Sequence, residues 1–333
     1  MLKVGVLGVG HLGKIHLKCI QMIDQLELVG FYDPNEENAK AALAVHQIKR
    51  FDSLDELIQA VDLVDIVAPT TVHFALAKRA LELGKHVFIE KPVTNTIAEA
   101  EELLALSIEK GLKVQVGHVE RFNPAFLALK GQVLEPMFIE AHRLAPFNAR
   151  GTDVSVVLDL MIHDLDIILN MVKSDVKTIH ASGIPIVSET FDICNVRIEF
   201  ENGCVANLTA SRMSLESTRK LRFIQKDAYV SMDFLAKKTE IIRLFEKGAD
   251  NLPKNANFIE LDTRDGGKLL HVDIPHVEPV NAIKMELETF VESINSDKAP
   301  YVTLEDGYKA LKLAHQILEN GLERYEKMNL SKS

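Results

Sequence analysis

Six residues near the N-terminus, Gly8-Val9-Gly10-His11-Leu12-Gly13, constrain this chain more than any other stretch. They follow an apolar run at 3–7 and open an amphipathic one. Three glycines at that spacing let a strand turn tightly, let backbone approach a pyrophosphate, and let a helix pack closely on a strand. A helix starting there offers free amides and the positive end of its dipole to an anion. Asp33 ends the next strand-like run, 28–32, twenty residues beyond Gly13, where a carboxylate accepts hydrogen bonds from a ribose diol. Asn35, Glu36 and Glu37 follow, with no arginine beside Asp33. A 2′-phosphate would meet negative charge there, so the pattern points to NAD rather than NADP. The plainer alternative is a glycine turn that binds nothing, with Asp33 as a strand-end cap.

Further strand-like runs at 63–67, 86–89 and 113–116 alternate with amphipathic stretches, the signature of βαβ units and a parallel sheet. Ser53 to Glu56 and Thr96 to Glu99 read as capping boxes, while Gly84 and Gly111 suit left-handed helix ends. A chain of 333 residues exceeds what one core usually supports. We therefore expect a Rossmann domain over 1–120 and a second domain over 121–333. In the latter, 192–200 alternates strictly, with Cys194, Val196, Ile198 and Phe200 on one face and Asn195, Arg197 and Glu199 on the other. That is a half-buried antiparallel strand, and Glu201-Asn202-Gly203 supplies a hairpin turn into Cys204, Ala206, Leu208 and Ala210. Runs at 220–225, 239–245 and 268–274 extend an open, mostly antiparallel sheet, and helices at 282–294 and 303–319 close the chain. The fold class is α/β, a doubly wound parallel sheet followed by an α+β domain.

Composition limits the partners. A net charge of -10 disfavours a nucleic-acid backbone and an anionic membrane surface. Cys19, Cys194 and Cys204 form no CxxC pair and lie near no histidine at metal-ligand spacing, so neither a disulfide framework nor a metal site is expected. With no signal-peptide pattern and no bilayer-spanning run, cytoplasmic residence is the default expectation.

Two places can carry chemistry. Glu90-Lys91-Pro92 lies at the C-terminal end of a strand, the sheet edge where such folds bind ligands. There the Lys91 ammonium can reach a substrate hydroxyl or simply remain solvated. The run 156–172 has helical length and is apolar nearly all round, yet Asp159, His163, Asp166 and Asn170 fall on one stripe. Asp159 and His163 are i, i+4 neighbours, and a carboxylate beside an imidazole makes a general base for alcohol oxidation. The competing reading is a hydrogen-bonded core histidine. His11 and His16 sit in the first helix without an assigned role beyond proximity to the glycine turn.

Taken together, several motifs resemble the Gfo/Idh/MocA family along essentially the whole chain: the glycine turn, Ala68-Pro69-Thr70 with His73, Gly84 to Val87 running into Glu90-Lys91-Pro92, Gly117 with Arg121-Phe122-Asn123-Pro124, and Asp159 with His163. The resemblance implies that Lys91, Asp159 and His163 form the catalytic set and that Ala68, Pro69, Thr70, His73, Glu90 and Arg121 join Gly8, Gly10, His11, Leu12, Gly13 and Asp33 around NAD. It also implies an open sheet that forms a homodimer or homotetramer interface, which the polar positions Asn195, Arg197, Thr209 and Ser211 fit. Residues 117–124 and 153–164 are similar to the branch that oxidises C3 of UDP-N-acetylglucosamine, although that branch commonly has glycine where Ser155 stands. For such a nucleotide sugar, Asn123, Arg143 and Arg150 are candidate substrate contacts beside Lys91 and His163, the two guanidiniums suiting a pyrophosphate or, equally, surface carboxylates. Oxidation of another sugar or a polyol, an NAD-dependent glycosidase, and a non-catalytic NAD-binding redox sensor are the alternatives.

Overall fold

The alternation of strand and helix in the first third becomes a six-stranded sheet, parallel throughout. In a computed structural model, which describes residues 1–148, 154–249, 252, 257–263 and 266–330, β1 (Leu2–Leu7), α1 (His11–Ile20), β2 (Leu26–Tyr32), α2 (Glu36–Leu43), β3 (Lys49–Arg50), α3 (Leu54–Ala60), β4 (Leu63–Ile66), α4 (Thr70–Glu82), β5 (His86–Glu90), α5 (Ile97–Lys110) and β6 (Val114–Gly117) follow in turn. The strand order β3-β2-β1-β4-β5-β6 is that of a doubly wound dinucleotide fold. All but β3 are expected from the sequence to within two residues; at two residues long, β3 is too short to show a period. Thr96 completes its capping box with Glu99, but Ser53 occupies the N-cap of α3 without a side-chain bond to the helix. The box expected at Ser53 does not form. Gly84 and Gly111 adopt φ of 74° and 62°, the left-handed conformation their positions require.

The described chain separates into two units, Met1–Phe122 with Val280–Lys312, and Asn123–Pro279 with Leu313–Ser333. The expectation of an unbroken second domain from 121 is thereby corrected. The reason lies in packing: Leu287, Phe290 and Val291 of a late helix share one core with Val4, Leu17, Phe31 and Phe88.

The second unit begins with α6 (Pro124–Leu127) and β7 (Phe138–Leu144), continues through a π-helical turn at Val157–Met161 into α7 (Ile162–Met171), and then runs β8 (Val176–Ile184), β9 (Ile193–Phe200), β10 (Val205–Ser211), β11 (Thr218–Gln225), β12 (Ala228–Asp233), β13 (Lys238–Glu246), β14 (Phe258–Thr263) and β15 (Gly266–Asp273). The late helix of the first unit is α8 (Ala282–Asn295), and α9 (Leu304–Leu330) ends the chain. Nine strands form one sheet in which β10 runs parallel to β7 and antiparallel to β9. The alternation read in β9 holds, with Cys194, Val196, Ile198 and Phe200 buried and Asn195 and Arg197 exposed. Ser211 is the exception on the polar face: it is buried, and its hydroxyl accepts the Met213 N–H. The hidden face packs on Leu165, Ile168 and Met171 of α7. All three thiols are buried, and burial pushes Cys204 up to about 11, which leaves it an inert core side chain.

Asp192, just before β9, organises the preceding loop. Its Oδ2 accepts the N–H groups of Ile186 and Val187, both at 2.7 Å, and of Ser188 at 3.0 Å, while the Ser188 hydroxyl donates to Oδ1. Burial opposes ionisation here, but these donors outweigh it and bring the carboxyl down to about 2. The stability that Asp192 adds is therefore complete above its unfolded pKa of about 3.9 and is lost as pH falls through its folded value. We expect Asp192→Asn to lower the denaturant midpoint at pH 7 and to flatten the acid limb between about pH 4 and 2. Unfolding curves over that range check it, and an unchanged acid limb would remove the assignment.

Candidate active site

In the first unit the glycine turn has the geometry the sequence demands. Gly8 lies at φ 92°, where only glycine is free of strain, and its N–H donates to the Tyr32 carbonyl at 2.9 Å. A Cβ on Gly13 would stand 2.1 Å from the Gly8 oxygen, so α1 can approach β1 only without a side chain there. At Gly10 a Cβ would meet nothing nearer than Asn38 Nδ2 at 4.0 Å. This open backbone, at the N-cap of a ten-residue helix with no acidic residue in its first turn, fits a pyrophosphate. His11 is exposed and Leu12 half-buried at that helix start. Asp33 is buried at the end of β2, where Oδ2 accepts the Val9 N–H at 2.8 Å and Oδ1 the Asn35 N–H at 2.8 Å. The carboxylate thus ties the second strand to the glycine turn. NAD fits this cradle through Gly8 to Gly13 and Asp33.

The absence of an arginine beside Asp33 holds only along the sequence. In the structure Arg50, from β3, donates through Nη2 to the Asp33 carbonyl at 3.2 Å and through Nη1 to Glu36 at 2.6 Å. Pairing of β2 with β3 brings it there. Arg50 is thus present beside Asp33 but paired with Glu36.

At the next strand ends, Pro69 caps α4 between half-buried Ala68 and Thr70. His73 lies beneath them, its ring nitrogens 2.8 Å from the Ala68 carbonyl and 2.9 Å from that of Pro92. Burial keeps it below its ordinary pKa despite those carbonyls. The neutral ring donates to one of them at a time and clasps two loops expected to touch cofactor. Lys91 is half-buried after β5, joined to Pro92 by a cis peptide, and its N–H donates to Glu90 Oε2 at 3.2 Å. Glu90 turns inward: Oε1 lies 3.2 Å from His16 Nε2, and His16 Nδ1 lies 3.0 Å from Asp65. A Cβ on Gly117 would come within 2.8 Å of the Glu90 carboxylate, which explains glycine there. Arg121 is buried, 3.9 Å from Asp306. The inward cluster around His16 is the group that the sequence reading passed over; His16 shows only as a polar residue at i+3 from Gly13 on the buried side of α1.

In the second unit, Asp159 lies in the π turn and His163 in the first turn of α7, both half-buried. Along the polar stripe expected on one helical face, Asp166 is buried and Asn170 exposed. The π turn, with its wider i→i+5 repeat, offsets Asp159 from His163, Asp166 and Asn170, which all lie beyond it in α7. The Ser155 hydroxyl, just before this turn, accepts the Val157 N–H at 3.3 Å. Arg143 is buried and bidentate to Asp164, at 2.9 and 2.8 Å. Its guanidinium pairs with the helix that carries His163, which favours the carboxylate alternative over a place on a substrate pyrophosphate. Asn123 likewise caps α6, accepting the Ala125 N–H, and donates to the Phe234 carbonyl at 3.1 Å. Arg150 lies outside the described residues. No described helix is long and apolar enough to cross a membrane.

Known proteins match this chain from end to end. The model of an oxidoreductase family with an NAD-binding Rossmann fold, Gfo/Idh/MocA, matches residues 2–118, and the model of that family's C-terminal domain matches 135–228. The chain is 34% identical over 321 residues to the UDP-N-acetylglucosamine 3-dehydrogenase of Acidithiobacillus ferrooxidans, covering 95% of this chain and 96% of that one. The solved structure of that enzyme superposes with a TM-score of 0.84 at 32% identity, over 96% of this chain and 97% of the other. The myo-inositol 2-dehydrogenase of Thermotoga maritima is 25% identical over 335 residues, 94% of each chain.

The Arg50–Glu36 pair yields a prediction about cofactor choice. Wild-type protein should bind NAD more tightly than NADP. Glu36→Gln should release Arg50 to a 2′-phosphate and improve NADP binding by roughly tenfold, the scale of one charge-assisted hydrogen bond. Asp33→Ala should erode NAD affinity. Calorimetric titration with both dinucleotides checks this, and unchanged NADP affinity in Glu36→Gln would show that the pair does not govern selectivity.

Proposed function

This chain belongs to the Gfo/Idh/MocA oxidoreductase family, with NAD as its cofactor, and we propose that its substrate is a UDP-N-acetylhexosamine, UDP-N-acetylglucosamine first among them, oxidised at C3 to the 3-keto sugar. The observation that carries this reading is the likeness in sequence and backbone, over nearly the full length of both chains, to a UDP-N-acetylglucosamine 3-dehydrogenase. Bound NAD supplies the hydride acceptor. The C3 hydrogen leaves as hydride and the hydroxyl proton goes to a base, so one alcohol and NAD give one ketone, NADH and one proton. His163 takes that proton, with the Asp159 carboxylate in the turn before it as its partner. Lys91, at the end of β5, donates to the reacting oxygen and stabilises the developing alkoxide. The proposal extends to cytoplasmic residence and to a homodimer or homotetramer in which the exposed face of β9 and β10, with Asn195, Arg197 and Thr209, covers another subunit.

Two expected outcomes test it. UDP-N-acetylglucosamine with NAD should accumulate NADH, read by absorbance, while free N-acetylglucosamine should be a far poorer substrate because it lacks the pyrophosphate. Equal rates on both, or activity confined to inositol, would end the nucleotide-sugar assignment; product formation without net NADH would indicate a glycosidase. Separately, Lys91→Met and His163→Asn should each lower kcat by roughly 10²-fold, the usual scale for a lost acid–base group, with NAD affinity nearly intact. Near-normal turnover in either variant would return that residue to a structural role.

A further inference from the structure

Four titratable side chains meet inside the first unit, and the proposed chemistry uses none of their protons. His16 and Asp65 have no exposed side-chain area, Glu286 of α8 is fully buried, and Glu90 is nearly so. One donor atom each from His16, Glu90 and Glu286 lies within 4.8 Å of the other two. Neither carboxylate oxygen of Glu286 has a hydrogen-bond partner among the described residues. Three carboxylates and one imidazole cannot all be ionised and neutral respectively without leaving three negative charges in a medium that solvates them poorly. Two protons resolve it, one on Glu286 and one making His16 a cation. The geometry of His16 agrees: Nδ1 hydrogen-bonds Asp65 at 3.0 Å, while Nε2, without a hydrogen-bond partner among the described residues, lies 3.2 Å from Glu90 Oε1, where a positive ring is attracted by charge.

We propose that His16 is a positioning residue for the oxidation, an imidazolium that bridges Asp65 and Glu90 and thereby holds the Glu90–Lys91 segment in its working geometry at the end of β5. This rests on the role given above to Lys91. The link is short: Glu90 gives one oxygen to His16 and the other to the Lys91 N–H, while Gly117 leaves room for its carboxylate. Burial works against the charge on His16, but Asp65 and Glu90 outweigh it and raise the pKa well above the ordinary histidine value. Burial, followed by Glu90, likewise raises Glu286. The groups facing His16 are Asp65 from β4, Glu90 from β5, Glu286 from α8 and, along its own helix, Cys19. Because the folded pKa of His16 exceeds the unfolded one, the stability it supplies is complete below about pH 6.5 and is lost as pH rises through the folded value.

The test uses the full chain with ¹⁵N-labelled histidine. Long-range ¹H–¹⁵N spectra between pH 5.5 and 8.5 should show both His16 nitrogens protonated throughout, and Glu286→Gln, an isostere of the neutral acid, should leave their shifts in place. A neutral His16 at pH 7.5 overturns the proposal. So does a stoichiometric divalent metal by elemental analysis, since one such ion can replace the two protons. In His16→Gln the Lys91 backbone amide signal should move, kcat should fall at least tenfold, and the sugar KM and the NAD Kd should change less than threefold. Wild-type kcat, or an unmoved Lys91 signal, counts against it. Gly117→Ala, which displaces the Glu90 carboxylate while keeping His16, should reproduce the loss of kcat and covers the case in which His16→Gln does not fold. If wild-type protein makes no NADH from the nucleotide sugar, the substrate reading fails, while the protonation state of His16 and the Lys91 signal still decide this one.

Discussion

Charge removed from water must be matched inside the protein, and the arrangement of the first unit follows from how His16 meets that requirement. Its imidazole sits where α1, β4 and β5 converge, with Asp65 on one nitrogen and Glu90 on the other. Removing either carboxylate would leave a buried cation half-compensated, a loss far larger than that of a surface pair. The consequence reaches outward along the backbone: Glu90 precedes Lys91, and Asp65 lies two residues before the loop that leads to Pro69. Helix α8 closes the cluster with Glu286 and is pegged to β6 by Gln115, whose amide donates to the Glu286 carbonyl at 2.6 Å. A helix late in the sequence is thus part of the dinucleotide-binding unit for electrostatic as well as apolar reasons.

The second unit repeats the device with different residues. Arg143 and Asp164 form a buried bidentate pair, and Asp192 gathers three backbone N–H groups while facing Arg212 at 3.5 Å. Both arrangements brace the segment that carries Asp159 and His163. Asp164 adjoins His163, and the Phe191 carbonyl, next to Asp192, accepts the Val156 N–H at the start of the π turn. The guanidinium of Arg143 therefore serves the geometry of the helix. In a family whose members act on sugar hydroxyls, bases must be held to within a fraction of an ångström, and charge-assisted bidentate bonds are among the stiffest supports a side chain can provide.

Much of this was readable in advance, for identifiable reasons. The glycine turn, Asp33, five of the six strands of the first sheet and the alternation of β9 are local patterns whose meaning depends on neighbours a few residues away. Capping at Thr96 and the left-handed glycines are local in the same sense. What escaped was carried by partners distant in sequence: Arg50 reaching Asp33, α8 returning to the first unit, and Asp164 claiming Arg143. Strands β7, β8, β12 and β14 escaped because Arg143 interrupts the buried face of β7 and Gly183 that of β8, and because β12 and β14 are each only six residues long.

From the amino-acid order alone come the doubly wound NAD-binding unit, the α+β sheet that follows it, and Lys91, Asp159 and His163 as candidates for the oxidation. Those conclusions rest on backbone periodicity and on the steric freedom of glycine, which act over short stretches of chain. Only the packed chain shows that Glu36 pairs with Arg50, that Arg143 is internal, that a π turn offsets Asp159 from the polar residues of α7, and that His16 joins Asp65, Glu90 and Glu286 in one buried cluster. These are outcomes of desolvation and charge matching between groups far apart in sequence, and a buried charge selects its partner by distance in space, which no local pattern records.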